Sequence, residues 1–146
     1  MIIILEESAF HDMRLDLEKA YPDEGCGFVF GREDGMRRID RILPVINTRD
    51  ENRRRRFEIS AADYLRAESY ALQHNTQLLG VYHSHPDHPA RPSDYDLKHA
   101  LPYFSYLIMS VEKGVAAAIS SWQLDDAGVF AEEAVEIENK QKTHKL

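Results

Sequence analysis

Cysteine is almost absent from this chain, which has Cys26 as its single thiol among 146 residues. One cysteine cannot form an internal disulfide, so the sequence is compatible with a reducing compartment. It also cannot supply the cysteine-rich ligand set, such as Pro-Cys-x-x-Cys, that zinc deaminases need, which disfavours a deaminase. We expect Cys26 to be a buried packing residue rather than a nucleophile or a redox group.

Long apolar runs and an excess of positive charge are also missing. Residues 1–5 are apolar, but Glu6 and Glu7 follow at once, so we expect neither a signal peptide nor a membrane span. The formal net charge is -7, from 25 acidic residues against 18 lysines and arginines, which disfavours non-specific binding to nucleic acid. We therefore expect a cytoplasmic protein with no nucleic-acid partner and no membrane partner.

One basic run departs from this acidic background. Arg53 to Arg56 are four consecutive arginines, preceded by Asp50 and Glu51. Such a run can contact nucleic acid or an acidic protein. Because the run is short and lies in an acidic chain, we favour a solvated loop, and contact with an acidic protein partner stays open.

The length of the chain and the order of its patterns predict one α/β domain. Strand-like apolar segments are interleaved with helical periodicities and followed by hairpin signals, which implies a single layered domain with a mixed β-sheet flanked by helices. We assign residues 1–138 to this domain and residues 139–146 to a polar C-terminal tail.

Three serines are predicted helix N-caps: Ser8, Ser60 and Ser93. In the helix after Ser60, the helical spacing predicts that Ala61, Leu65 and Leu72 lie on one apolar face, with Tyr64 and Ala71 beside them. The helix after Ser93 should continue through Leu101 and end or bend at Pro102, because proline cannot continue a helix.

The most informative stretch is Gly80–Pro86, which contains His83 and His85 two residues apart. An apolar, strand-like run precedes them, and alternate residues of a strand project from one face, so both imidazoles should point the same way. Pro86 should mark the end of the strand, because proline cannot donate to a sheet ladder. Two imidazoles at a strand end can bind one metal ion, although a His-x-His pair also occurs by chance.

A third ligand is predicted from the segment Ser93-Asp94-Tyr95-Asp96. The pattern is first of all a helix cap, but a helix that opens there would turn Asp96 back toward the strand end. Two histidines and one carboxylate leave a tetrahedral zinc ion with an open position for water, as in catalytic zinc sites. Zinc lowers the pKa of such a water from about 15.7 to roughly 7, which makes a nucleophile available at neutral pH.

Hydrolysis also needs a proton acceptor, and Glu24 is the candidate. It precedes the apolar segment of residues 28–31, and Gly25 and Gly27 beside it permit a close approach of the backbone. A neighbouring sheet position could then bring its carboxylate near the metal site. The alternative is an ordinary surface glutamate before a strand.

Taken together, these residues resemble the JAMM motif of the JAB1/MPN/Mov34 metalloproteases: a glutamate, then His-x-His, seven residues, and Ser-x-x-Asp. The five signature positions are Glu24, His83, His85, Ser93 and Asp96, and the likeness in element order covers residues 2–137. The resemblance implies a fold like that of the cytidine deaminases. It implies one zinc ion per chain on His83, His85 and Asp96, with Glu24 as general acid/base and Ser93 helping to stabilise the oxyanion.

The resemblance also implies a function. Short stand-alone members of the family look like zinc metallopeptidases that act on the C-terminus of a ubiquitin-like or sulfur-carrier protein, at a peptide or isopeptide bond. The alternative is a non-catalytic, protein-binding scaffold, as some members of the family are, although those characteristically lack metal ligands.

His88 and His99 remain further candidates for the site, the first between the ligands and the second in the helix after Asp96. The sequence does not indicate an oligomeric state.

Overall fold

The computed structural model describes residues 1–46 and 57–139. The predictions for Arg53 to Arg56, and for the tail beyond Asn139, lie outside the described residues. The strands are β1 (Ile2–Glu6), β2 (Cys26–Asp34), β3 (Met36–Val45), β4 (Gln77–Pro86), β5 (Ser105–Glu112), β6 (Val115–Leu124) and β7 (Phe130–Glu138). The helices are α1 (Glu7–Ala20), α2 (Ala61–Gln73) and α3 (Asp94–Lys98).

The strands form one mixed sheet in the order β1-β3-β2-β4-β5-β6-β7, and β7 pairs with β1 to close a barrel. The pairs β1–β3, β1–β7 and β4–β5 are parallel, and the remaining pairs are antiparallel. The predicted α/β domain with a mixed sheet flanked by helices is confirmed. Closure was not predicted, because it depends on β1 lying between two strands that follow it in sequence.

The first helix begins earlier than predicted. Its N-cap is Glu6, whose side chain makes no capping hydrogen bond, so the prediction of Ser8 as N-cap is wrong. Strand β1 runs directly into α1, and the extended backbone of Glu6 starts the helix. Its inner face is apolar, since Met13 and Leu17 are fully buried in the core.

The second helix has the predicted cap and a different buried face. Ser60 Oγ accepts a hydrogen bond from the Asp63 amide at 3.1 Å, and the Asp63 carboxylate accepts one from the Ser60 amide at 2.9 Å. The predicted apolar face is wrong, because Leu65 and Leu72 are 69% and 85% exposed. The face that packs on the sheet instead contains Ala67, together with Ala71 and Tyr64, which were predicted beside the apolar face. The alanines lie between two aromatic pairs, Phe28–Tyr64 and Phe30–Tyr70. The smaller side chains allow the helix to lie close to β4, while its tyrosines contact the phenylalanines of β2.

The third helix is shorter than predicted. It ends at Lys98 with His99 as C-cap, and does not continue to Pro102. Beyond it, the Leu101 amide donates to the Tyr106 hydroxyl at 2.6 Å. The chain therefore leaves the helix one turn early, satisfies that amide from β5, and leads into the strand beside the histidines.

Two apolar clusters fill the fold on either face of β2 and β4. One surrounds α1 and contains Tyr82, and the other lies under α2 and contains Val81. Cys26 belongs to the second cluster and is fully buried, as predicted. Burial raises the pKa of its thiol to about 12, with nearby acidic groups adding to the effect, so the thiolate is not populated at neutral pH.

Among the helices of residues 1–46 and 57–139, none combines the length and the apolar character that crossing a membrane requires.

Candidate metal centre

His83 and His85 lie at the end of β4, which is paired with β2 on one side and β5 on the other. They project from the same face, as the strand alternation predicted, and His83 is 1% exposed. Pro86 is the last residue of the strand, also as predicted. The phenyl ring of Phe57 stacks on His83 with a centroid distance of 4.4 Å, which shields this imidazole from water.

Asp96 reaches the histidines through the cap of α3. Ser93 Oγ accepts a hydrogen bond from the Asp96 amide at 3.1 Å, and Asp96 Oδ2 accepts one from the Ser93 amide at 2.8 Å. The predicted cap is confirmed, and it is compatible with the predicted role of Asp96 as a ligand. The cap holds the carboxylate in one orientation, and that orientation faces β4.

Three donor groups converge at this point. His83 Nε2 lies 3.2 Å from His85 Nε2 and 3.3 Å from Asp96 Oδ1, and His85 Nε2 lies 3.2 Å from Asp96 Oδ2. Around a tetrahedral zinc ion with bonds of about 2.0–2.1 Å, neighbouring ligand atoms lie about 3.3–3.4 Å apart. The spacing of the three groups fits that coordination closely, and they could hold one metal ion.

The electrostatics of the cluster also suit a cation. Burial lowers the pKa of His83 although Asp96 opposes the shift, so this imidazole is held neutral. Burial works against ionisation of Asp96, but the neighbouring histidines and the Ser93 amide outweigh it and lower the pKa of the carboxyl. A neutral imidazole and an ionised carboxylate are the forms that bind metal.

The orientation of His85 is set from outside the cluster. Its Nδ1 lies 2.9 Å from the carbonyl oxygen of Pro89, which can only accept a hydrogen bond. Nδ1 is therefore assigned the proton, and the Nε2 lone pair points at His83 and Asp96. Burial lowers the pKa of His85, but Asp96 and the Pro89 carbonyl outweigh it and raise that pKa overall, because in the protonated ring both nitrogens donate, Nε2 to Asp96 and Nδ1 to Pro89.

Glu24 is buried, with 5% exposure, and is not the surface glutamate of the alternative interpretation. In the β2–β4 ladder Cys26 pairs with His83. The Ser84 amide donates to the Gly25 carbonyl at 3.0 Å, which continues the pairing. One further step places Glu24 opposite His85, and directly opposed residues of an antiparallel pair share a face. Continued by one residue, the register therefore places the backbone of Glu24 at the end of the β2–β4 pair where the histidines lie.

The remaining candidates fall outside the cluster. Ser93 is exposed and serves as the N-cap of α3. His88 is exposed in the loop after β4. His99 stacks on Tyr95 with a centroid distance of 4.2 Å, and its Nδ1 lies 2.9 Å from the Tyr95 carbonyl oxygen. Asp94, in the first turn of α3, is exposed, whereas Asp96 is buried and faces the histidines.

A cavity of about 290 Å³ opens beside the cluster. His83 and Asp96 form part of its wall, and most of the rest is apolar or aromatic: Phe57, Ile59, Tyr64, Val81, Tyr95, Leu101 and Tyr106. Reasoning from the sequence missed this lining. Phe57 follows the arginine run and carries no motif of its own, and the tyrosines come from three separate elements.

Known proteins resemble this chain in sequence. Residues 6–125 match the family model described as prokaryotic homologs of the JAB domain. A desampylase from Pyrococcus furiosus is 30% identical over 115 residues, which cover 79% of this chain and 76% of the relative. A probable TtuB-protein conjugate cleaving protease from Thermus thermophilus is 29% identical, over 80% of this chain and 75% of the relative. A CysO-cysteine peptidase from Mycobacterium tuberculosis is 25% identical, over 93% and 91% of the two chains.

Solved structures resemble it as well. A protein from Desulfitobacterium hafniense superposes with a TM-score of 0.84 and 29% identity, over 98% of this chain and 97% of the other. A JAB1/MPN domain protein from Archaeoglobus fulgidus superposes with a TM-score of 0.57 over 92% and 99% of the two chains. At 16% sequence identity, this superposition shows a common fold and no more.

Proposed function

Because the chain belongs to the family of prokaryotic homologues of the JAB domain, we propose that it is a zinc-dependent peptidase. Its proposed substrate is a peptide or isopeptide bond at the C-terminus of a ubiquitin-like or sulfur-carrier protein. Family membership confirms the resemblance inferred from the motif. The observation that carries the proposal is the convergence of His83, His85 and Asp96, whose donor atoms are spaced 3.2–3.3 Å apart.

The curated relatives support the choice of reaction. All three carry names that denote a protease, a peptidase or a desampylase, and one name denotes cleavage of a protein conjugate. They agree with the prediction of a metallopeptidase made from the motif. The substrate class is transferred from the resemblance and these names, and a cytoplasmic location stays a prediction.

The metal is proposed to be zinc, one ion per chain. Two imidazoles and one carboxylate form a ligand set of catalytic zinc sites, and this set leaves one coordination position open. When bound, zinc would lower the pKa of a water molecule to about 7 and supply a nucleophile at neutral pH. The chain's own contribution is to hold His85 by Pro89 and Asp96 by Ser93, so that the ligands need little rearrangement to bind.

Glu24 is proposed as the general acid/base. A buried carboxylate opposite His85 can accept a proton from the attacking water and return it to the leaving amine.

Ser93 is proposed to stabilise the oxyanion. A serine hydroxyl has one donor and two acceptor sites, and the capping bond from the Asp96 amide uses an acceptor site. The O–H group can therefore donate to the negative charge that develops on the carbonyl oxygen of the substrate, while the cap stays intact. Removal of one such donor typically costs about 10²–10³-fold in rate.

The binding-scaffold alternative is weaker, because the metal-ligand set is complete. A protein that needed only a docking surface would not require two histidines and a carboxylate to converge within 3.3 Å. Metal content after gentle purification separates the two. A scaffold should contain no stoichiometric zinc and gain no activity when zinc is added.

The experiment that tests the function is a cleavage assay on defined fusions. Ubiquitin-like and sulfur-carrier proteins with C-terminal extensions would be incubated with the purified protein, and the products identified by mass spectrometry. We expect cleavage at the end of the carrier domain, lost with a chelator and restored by zinc. Intact fusions in every case, with zinc-loaded protein, would reject the proposed substrate class.

A further inference from the structure

Ser84 lies between the two histidines and points to the opposite face of β4. It is fully buried, and two hydrogen bonds join it to Gly25. The Ser84 amide donates to the Gly25 carbonyl at 3.0 Å, and Ser84 Oγ accepts a hydrogen bond from the Gly25 amide at 2.9 Å. A side chain thus replaces one backbone acceptor at the end of the β2–β4 ladder.

Gly25 is also confined from the other side. A Cβ atom added to it would lie 2.9 Å from Ala20 Cβ and 2.9 Å from Leu17 Cδ2, so α1 packs directly against this backbone. The next glycine is confined similarly, since a Cβ on Gly27 would lie 2.4 Å from the ring of Tyr82. The segment that carries Glu24 is therefore pressed against α1 on one side and bonded to Ser84 on the other.

We propose that Ser84 is a positioning residue, which places the carboxylate of Glu24 relative to the cluster of His83, His85 and Asp96. This inference rests on the proposed function. Glu24 precedes Cys26, the first residue of β2, so the regular ladder does not hold it. Its neighbour Gly25 is held by Ser84, and Ser84 is covalently linked to both histidines. One short segment therefore couples the position of the acid/base to the position of the ligands.

The chemistry explains why a hydroxyl is needed at this position. If Oγ is removed, the Gly25 amide is a buried donor without its acceptor, and the backbone shifts or admits water to satisfy it. The second bond persists, because the backbone amide of Ser84 makes it. The expected result is a displaced Glu24 in a folded protein, and a displacement of about 1 Å can cost roughly 10²-fold in rate.

Three variants test the inference. Ser84→Ala removes the acceptor, and Ser84→Thr keeps the hydroxyl. Ser121→Ala is the matched control, because Ser121 is also a fully buried strand serine and its Oγ donates to Glu133 at 2.8 Å. For each, zinc content, thermal stability, and kcat and KM on the fusion that the wild type cleaves would be measured. Two further readouts need no activity: hydrogen exchange of the Gly25 amide, and the position of Glu24 in a crystal structure.

For Ser84→Ala we expect bound zinc to be unchanged and KM to change less than twofold. We expect kcat to fall about 10–100-fold, which is the range for loss of an outer partner of a metal site. Ser84→Thr should recover most of the loss. Ser121→Ala should lower thermal stability and leave kcat unchanged. If Ser84→Thr does not fold, the comparison of Ser84→Ala with Ser121→Ala still tests whether Ser84 positions Glu24.

A kcat for Ser84→Ala within twofold of the wild type would overturn the inference while the proposed function stands. If instead the wild type cleaves no fusion, the proposed function fails, and the two structural readouts decide about Ser84. Faster exchange of the Gly25 amide with a displaced Glu24 supports positioning. An unmoved Glu24 overturns it.

Discussion

The carboxylate of Asp96 lies 3.3 Å from Nε2 of His83, a histidine with 1% exposure. Asp96 is also the third residue of α3, where its carboxylate accepts the Ser93 amide. A residue that caps a helix thus supplies the only negative charge of the cluster of His83, His85 and Asp96. Seven residues separate His85 from Ser93, so a short segment of chain connects the strand end to the helix cap.

Asp96→Asn should weaken zinc binding. The amide keeps the shape of the side chain and can still accept from Ser93, but it removes the ligand charge. Loss of an outer partner of a metal site weakens metal binding about 10–100-fold. Because Asp96 is proposed to bind the ion directly, we expect a larger increase in the zinc dissociation constant for Asp96→Asn. Competition titration with a zinc-binding dye measures it. Asp94→Asn, at the exposed carboxylate two residues earlier, is the matched control and should bind zinc like the wild type.

Zinc should stabilise the folded chain. A ligand that binds only the native state adds about 2.7 kcal/mol to the free energy of unfolding at a hundredfold excess over its dissociation constant. Thermal unfolding of chelator-treated protein with and without added zinc measures this. The melting temperature should rise with zinc for the wild type and for Asp94→Asn, and much less for Asp96→Asn. Equal increases in all three would place the stabilising metal elsewhere.

Gly27→Ala should destabilise the fold beside the site. The added Cβ would lie 2.4 Å from the ring of Tyr82, whose hydroxyl is held by Asp16 at 2.6 Å, so the ring cannot move without loss of that bond. Overpacking of this kind costs about 1–3 kcal/mol, which urea unfolding would show. Gly35→Asn is the control, because nothing lies within 4 Å of Gly35 and asparagine tolerates its φ of +75°. If Gly27→Ala leaves the free energy of unfolding unchanged, the ring of Tyr82 is not confined.

Asp16→Asn should change how stability depends on pH. Burial raises the pKa of Asp16, although the hydrogen bond from Tyr82 and the charge of Lys19 oppose the shift. A folded-state pKa above the unfolded value of 3.8 means that the native state binds more protons. The contribution of Asp16 to stability is therefore complete below pH 3.8 and is lost as the pH rises through the raised pKa.

Asparagine can accept from Tyr82 but does not titrate, so the stability of Asp16→Asn relative to the wild type should increase as the pH rises through that window. Urea unfolding at several pH values measures the difference. Asp12→Asn, on the exposed face of the same helix, is the control. A stability difference for Asp16→Asn that is constant with pH would contradict the assignment.

The parts of the site that could be predicted are those joined by short stretches of chain. Strand alternation places His83 and His85 on one face, and the capping pattern of Ser93 turns Asp96 toward them, so local rules suffice. Glu24 is different. Its position relative to the histidines depends on the pairing of β2 with β4 across some sixty residues, which periodicity does not encode. The two glycines beside Glu24 gave a weak indication, and the motif resemblance supplied the rest.

The same distinction explains the errors in the fold. Helical spacing assigned Leu65 and Leu72 to the apolar face of α2, yet both face solvent, and Ala67 and Ala71 pack on the sheet. The space that a helix has above a sheet is set by the neighbouring aromatic rings, which the helix sequence does not contain. Closure of the barrel by β1 and β7 is likewise a pairing between the two ends of the chain.

The most direct test of the central claim is to measure zinc content and hydrolysis together in Glu24→Gln. Asp23→Asn, at the adjacent carboxylate, is the matched control. If the cluster of His83, His85 and Asp96 binds the metal and Glu24 moves the proton, Glu24→Gln should hold about one zinc per chain and lose at least about 10²-fold in kcat, within the range for general acid–base catalysis. Asp23→Asn should keep both zinc and activity. A Glu24→Gln variant that binds zinc and cleaves the fusion at the wild-type rate would contradict the account.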